Sequence, residues 1–114
     1  MKPEISGPSS GKPEEEQTFE ASTTDPEGDD IYYMFDWGDG TYSDWLGSYS
    51  SGRGVSISHT WSERGDYEVR VKAKDDHGVI GDWSDPLPIT MPKSFPFFGR
   101  LSQLFDWLSS FSFN

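Results

Sequence analysis

Between residues 17 and 91 apolar and polar side chains alternate with a period of two, the pattern of strands that bury one face. Phe19, Ala21 and Thr23 fall on one side of the first clear run. Ile31, Tyr33, Phe35 and Trp37 share a side in the next, and Val55, Ile57 and His59 in the one after. The most regular run sets Tyr67, Val69, Val71 and Ala73 against Glu68, Arg70, Lys72 and Lys74. Leu87, Ile89 and Met91 form the last, and Ile5 marks a short strand near the start. Turns rich in glycine, proline and aspartate separate the runs, at Asp25-Pro26-Glu27-Gly28, Gly38-Asp39-Gly40, Ser51-Gly52-Arg53-Gly54 and Asp76-His77-Gly78. Short strands at such spacing predict an all-β sandwich or barrel of about seven strands.

The period changes after Pro92. Phe98, Leu101, Leu104, Phe105, Leu108 and Phe111 recur at three- and four-residue steps, which is helical spacing. Arg100, Ser102, Gln103 and Asp106 take the opposite face. The chain therefore divides into a β domain over 1–92 and a tail over 93–114 that holds a short C-terminal amphipathic helix. That helix is too short and too charged to cross a bilayer. Its stripe is expected to dock on an apolar part of its own domain. Self-association through residues 98–111 is the second use, and membrane contact the third, because the polar face is not rich in Lys or Arg.

Composition says what fills the core. Hydrophobic residues make up only 32% of the chain, but 16% are aromatic: five Trp, five Tyr and eight Phe. Each buried ring removes roughly 150–250 Å² from water, so a few large side chains must carry the interior. The net charge of −11 repels nucleic-acid backbones and anionic lipid surfaces, and no nucleic-acid partner is expected. The lack of cysteine excludes disulfides and thiolate metal sites. Met1 and Lys2 lead straight into Pro3 and Glu4 without the apolar core of a secretory leader, and the chain reads as a segment of a longer parent.

Two stretches carry a resemblance. Phe35-Asp36-Trp37-Gly38-Asp39-Gly40 resembles the WDFGDG signature of PKD domains with the two aromatics exchanged. His59-Thr60-Trp61 followed by Gly65-Asp66-Tyr67-Glu68-Val69-Arg70-Val71 resembles that family's H-x-Y … G-x-Y-x-V-x-V pattern, with Trp61 in place of the usual Tyr. The turn Asp75-Asp76-His77-Gly78 resembles the family's D-x-x-G. The resemblance covers roughly residues 3–91 and implies an immunoglobulin-like (PKD-type) β-sandwich, placed outside the cell or on its surface. In that fold Phe35 and Trp37 enter the core while Asp36 points away. Tyr67 is placed for a tyrosine corner, and His59 reads as a hydrogen-bonded structural residue.

The leading chemical candidate is a hard-cation site. Asp25-Pro26-Glu27-Gly28-Asp29-Asp30 puts four carboxylates in six residues, and Asp75-Asp76 supplies two more. In an immunoglobulin-like sandwich the loops after the second and sixth strands lie at one end. Calcium accepts six to eight oxygens in irregular geometry. The resemblance implies calcium ligands at Asp25, Glu27 and Asp75, with Asp29 or Asp30 assisting. The second candidate is the solvent face of the sheet that pairs the third and sixth strands. There Tyr32 and Met34 point away from the core beside Arg70, Lys72 and Lys74, with Tyr42, Trp45 and Trp83 nearby. Exposed aromatics are a platform for sugars or protein partners. Docking of the helix over these rings is the competing use.

Catalysis is not expected. Ser58 points to the opposite face from His59, which removes a nucleophile–base pair, and nothing arranges two carboxyls across a cleft. The expectation is a non-catalytic extracellular interaction or spacer module, calcium-stabilised, whose partner is protein or glycan. The alternative is an accessory module of a secreted hydrolase that binds carbohydrate or protein.

Overall fold

A computed structural model describes residues 1–92. The helix expected over 98–111 lies outside the described residues. Seven strands follow in order: β1 (Glu4–Ser6), β2 (Glu16–Ser22), β3 (Ile31–Asp36), β4 (Leu46–Tyr49), β5 (Val55–Thr60), β6 (Gly65–Asp75) and β7 (Leu87–Met91). They make a sandwich of two antiparallel sheets, ordered β1-β2-β5 and β4-β3-β6-β7. No helix occurs among the described residues.

The period-two pattern sets which face each strand buries. Phe19 and Ala21 from β2 and Val55 from β5 meet Ile31, Tyr33 and Phe35 from β3, Val69, Val71 and Ala73 from β6, and Ile89 and Met91 from β7. Register fixes the match: Phe35 lies opposite Val71, and Tyr33 opposite Ala73, so a large ring faces a small or branched side chain at each level. At about 25 cal/mol per Å², a fully buried ring contributes roughly 4–6 kcal/mol before entropy costs, which is how so few hydrophobic residues suffice.

Trp37 and Trp61 close the end of the sandwich beyond β3 and β5. Trp37 stacks on Phe35 at 5.1 Å and on His59 at 4.5 Å between ring centres, and meets Phe19 at 5.7 Å. Trp61 stands edge-on to it at 6.1 Å and donates its indole N–H to the Trp37 carbonyl at 3.2 Å. Below Trp61, the Tyr67 hydroxyl donates to the Glu63 carbonyl at 2.8 Å, the tyrosine corner its position predicts. Gly38 follows at φ +79°, and a Cβ there would lie 2.5 Å from the Glu68 carbonyl oxygen. Only glycine suits both the turn and that approach.

The four-stranded sheet is finished on both sides by serine. The Ser43 N–H donates to the Phe35 carbonyl at 2.9 Å, while its Oγ accepts the Phe35 N–H at 2.8 Å. The Ser84 N–H donates to the Val71 carbonyl at 2.7 Å, and its Oγ accepts the Val71 N–H at 3.0 Å. Phe35 and Val71 are opposite one another, so the two serines end one line drawn across the sheet. Each serine mimics a strand residue with its side chain.

Because Trp37 touches rings on both sheets, Trp37→Ala should lower stability by about 3–5 kcal/mol. Urea unfolding followed by far-UV circular dichroism measures it. A loss under about 1 kcal/mol would show that the ring does not join the sheets.

Candidate functional site

The acidic pole is built by two turns that use their own aspartates as braces. Asp25 Oδ2 accepts the N–H groups of Glu27 at 3.0 Å and Asp29 at 3.1 Å, and the Asp25 N–H donates to Ser51 Oγ at 2.8 Å. Asp75 Oδ1 accepts the N–H groups of His77 and Val79, both at 2.9 Å. Both aspartates are buried. The turns converge as the topology requires: Asp25, Glu27 and Asp29 bring carboxylate oxygens within 4.8 Å of one another, and so do Asp29 and Asp75 with a ring nitrogen of His77. His77 Nδ1 is 3.3 Å from Asp29 Oδ2.

The Val79 N–H, chiefly, holds the Asp75 carboxyl below the usual carboxylate range. Burial opposes it, and the His77 N–H and ring add to the lowering. Asp39, at the opposite end of β3, is also lowered. Burial pushes it up, but Thr41 and His59 outweigh that. His59 Nε2 lies 2.9 Å from Asp39 Oδ2, so this histidine is held by stacking and by one carboxylate.

The second site is the outer face of the β4-β3-β6-β7 sheet. Lys72 Nζ lies 4.6 Å from the centre of the Trp83 ring and 5.9 Å from that of Trp45. Lys74 Nζ lies 4.5 Å from Trp45 and 5.5 Å from Tyr32. Tyr42, well exposed, sits 6.4 Å from Trp83. Ring and ammonium thus alternate from Tyr32 through Lys74, Trp45 and Lys72 to Trp83, with Tyr42 beside Trp83 at the end. The finishing serines frame this face, because Trp45 follows Ser43 by two residues and Trp83 precedes Ser84. Met34 is half-buried on the same side, and Arg70 is tied to Glu68 at 2.9 Å.

The model of the PKD domain family matches residues 2–91. This chain belongs to the PKD domain family. A solved structure similar to it is the PKD domain of an M14-like peptidase from a Thermoplasmatales archaeon, at 44% identity and a TM-score of 0.75, covering 80% of this chain and 93% of that one. No curated protein matches the chain.

In this PKD domain the expected residues fall into two groups, each brought together. Asp25, Glu27, Asp29 and Asp75 share one pole. Tyr32, Met34, Tyr42, Trp45, Arg70 and Lys72 gather on one face of the four-stranded sheet with Lys74 and Trp83, Tyr42, Trp45 and Trp83 reaching it from the segments beside the strands, but Arg70 faces Glu68 rather than a ring. Sequence reasoning passed over His77 as a partner of Asp29 and Ser51 as the acceptor for Asp25. The position of His77 two residues beyond Asp75 was the available signal. Nothing in the sequence marks Ser51.

A carboxyl lowered in the folded state contributes stability that is complete above its unfolded value, near about 3.9, and is lost as pH falls through the lowered value. Asp75→Asn should therefore melt below the parent at pH 7, and the gap should narrow by about pH 2. Thermal melts at the two pH values check this. A gap of constant size would mean that the charge of Asp75 does not brace the turn.

Proposed function

We propose that this PKD domain is a non-catalytic accessory module of a secreted or surface-bound peptidase, and that it holds protein substrate through the aromatic–lysine face. The run of alternating rings and ammonium groups from Tyr32 to Trp83, extended by Tyr42, carries this reading. The likeness to a PKD domain of an M14-like peptidase supports the setting. The lack of catalytic role is supported by how the histidines are used: His59 is spent on Asp39 and His77 faces Asp29, while Ser58 bonds to Thr18 at 2.8 Å.

The test is binding of the full chain to immobilised unfolded casein, with cellulose and chitin as carbohydrate comparisons. Trp45→Ala/Trp83→Ala should weaken casein binding by roughly tenfold or more, since stacked or desolvated aromatic contacts are worth about 1 kcal/mol each. Binding to a polysaccharide alone would replace protein by glycan as the partner. Binding untouched by the double variant would move the site off this face.

We further propose that the acidic pole takes calcium, with Asp25, Glu27, Asp29 and Asp75 as ligands. Asp29 belongs to both groups, its carboxylate within 4.8 Å of Asp25 and Glu27 on one side and of Asp75 and His77 on the other, so it links the two turns with an oxygen-rich donor set. One oxygen each of Asp25 and Asp75 accepts no hydrogen bond among the described residues. When bound, the ion would lock the two loops together. Millimolar calcium should raise the melting midpoint, because a ligand at about 100 times its Kd adds about 2.7 kcal/mol. Magnesium should not, and Asp75→Ala should abolish the rise. A midpoint indifferent to calcium and EDTA would reduce these carboxylates to turn braces.

A further inference from the structure

In a chain with twenty acidic and nine basic residues, Lys72 and Lys74 stand side by side on one sheet face among three rings. Among the described residues, neither has a carboxylate within ion-pairing distance. Lys2 pairs with Asp85 and Arg70 with Glu68, while Lys12, Arg53 and Arg64 also lack such a partner, Arg53 lying over the Tyr49 ring. The two lysines instead lie against Trp45, Trp83 and Tyr32. A ring quadrupole attracts an ammonium group without cancelling its charge. The face therefore keeps two positive charges, holds their long side chains in place, and leaves them without a counter-charge.

Their spacing selects a ligand. Lys72 and Lys74 are two apart on β6 and point to the same side, which puts their origins roughly 6.5–7 Å apart along the strand. An extended peptide repeats its side chains on one face at that same interval. We infer that the aromatic–lysine face binds an extended acidic peptide segment whose Asp or Glu residues alternate with other residues. Two successive carboxylates meet Lys72 and Lys74, and the intervening backbone lies against Trp45 and Trp83. This rests on the reading of the face as a protein-binding surface and names the class of sequence it takes.

The net charge of −11 does not oppose this. Exposed charges are screened beyond about 8 Å at physiological ionic strength. Asp44 and Asp82 do flank Trp45 and Trp83 in the chain, so a narrow extended segment binds by setting its carboxylates on the lysine row rather than on its rim. A duplex or a lipid surface, broad and uniformly charged, would meet both.

The experiment is isothermal titration of the full chain with three peptides of equal length. One alternates Glu with Ser, one has the same composition with its Glu residues in a single block, and one replaces Glu by Gln. Polygalacturonate serves as an acidic polysaccharide. The alternating peptide should bind best, weaken with added salt, and lose roughly tenfold in affinity in Lys72→Gln/Lys74→Gln, two exposed ion pairs being worth up to about 0.7 kcal/mol each. Circular dichroism and the melting midpoint confirm that the variant folds. Equal binding of the blocked peptide, preference for polygalacturonate, or binding indifferent to the lysine variant each overturns the inference. Equal binding of the Gln peptide, lost in Trp45→Ala/Trp83→Ala, overturns it while sparing the protein-binding reading. Failure of every peptide and of casein overturns both.

Discussion

Trp37 touches rings that belong to both sheets, and the sandwich depends on that contact. Phe35 comes from β3 just before it, Phe19 from the opposite sheet, and His59 and Trp61 from β5 and the residues that follow it. A small domain buries a modest fraction of its surface, so each large contact between layers counts for more than it would in a bigger protein. The turn after Trp37 is built around the same need. Gly38 lets the chain reverse against the Glu68 backbone, and Asp36 Oδ1 accepts the Gly38 N–H at 2.9 Å. Asp39 then reaches back to hold His59 flat on the indole. The family motif is thus a packing device whose polar residues aim its aromatic ones.

With the interior committed in this way, the remaining chemistry lies on the outside, in two clusters. Asp25 and Asp75 anchor the pole made by the turns after β2 and β6 by accepting backbone N–H groups of those turns. Uncompensated ammonium groups gather on the sheet face, where rings are their partners. Both arrangements hold a charge in place without neutralising it. A charge so held can meet an incoming group of opposite sign with little further loss of side-chain entropy.

Most of this architecture can be read from parity. From Tyr67 to Ala73 the odd-numbered residues of β6 are apolar and the even-numbered ones charged, which orients Lys72 outward, and the phase of Ile31, Tyr33 and Phe35 orients Tyr33 inward even though Tyr32 and Met34 blur the contrast in β3. Topology then brings Asp25 and Asp75 to one pole. Parity is silent on whatever crosses between elements at an angle. Trp83 reaches Lys72 from an irregular segment with no period. His77 reaches Asp29 because two turns happen to lean together. Ser43 and Ser84 look like ordinary loop serines until the strands beside them are in place. Residues 93–114, despite a clear helical period, lie outside the described residues, so their stripe stands as a reading of sequence.

The two serines have a further consequence. A β-sheet margin is normally a row of open amide groups onto which another chain can zip. Here a hydroxyl accepts the Phe35 N–H on one side and the Val71 N–H on the other, then donates onward to the Asp44 and Asp85 carbonyls. Lower down, residues Ser9 and Gly11 occupy the outer edge of β7 by bonding both ways to Thr90. At those positions another chain meets amides already paired, those of Phe35, Val71 and Thr90, so edge-to-edge pairing between copies has to begin on other strands.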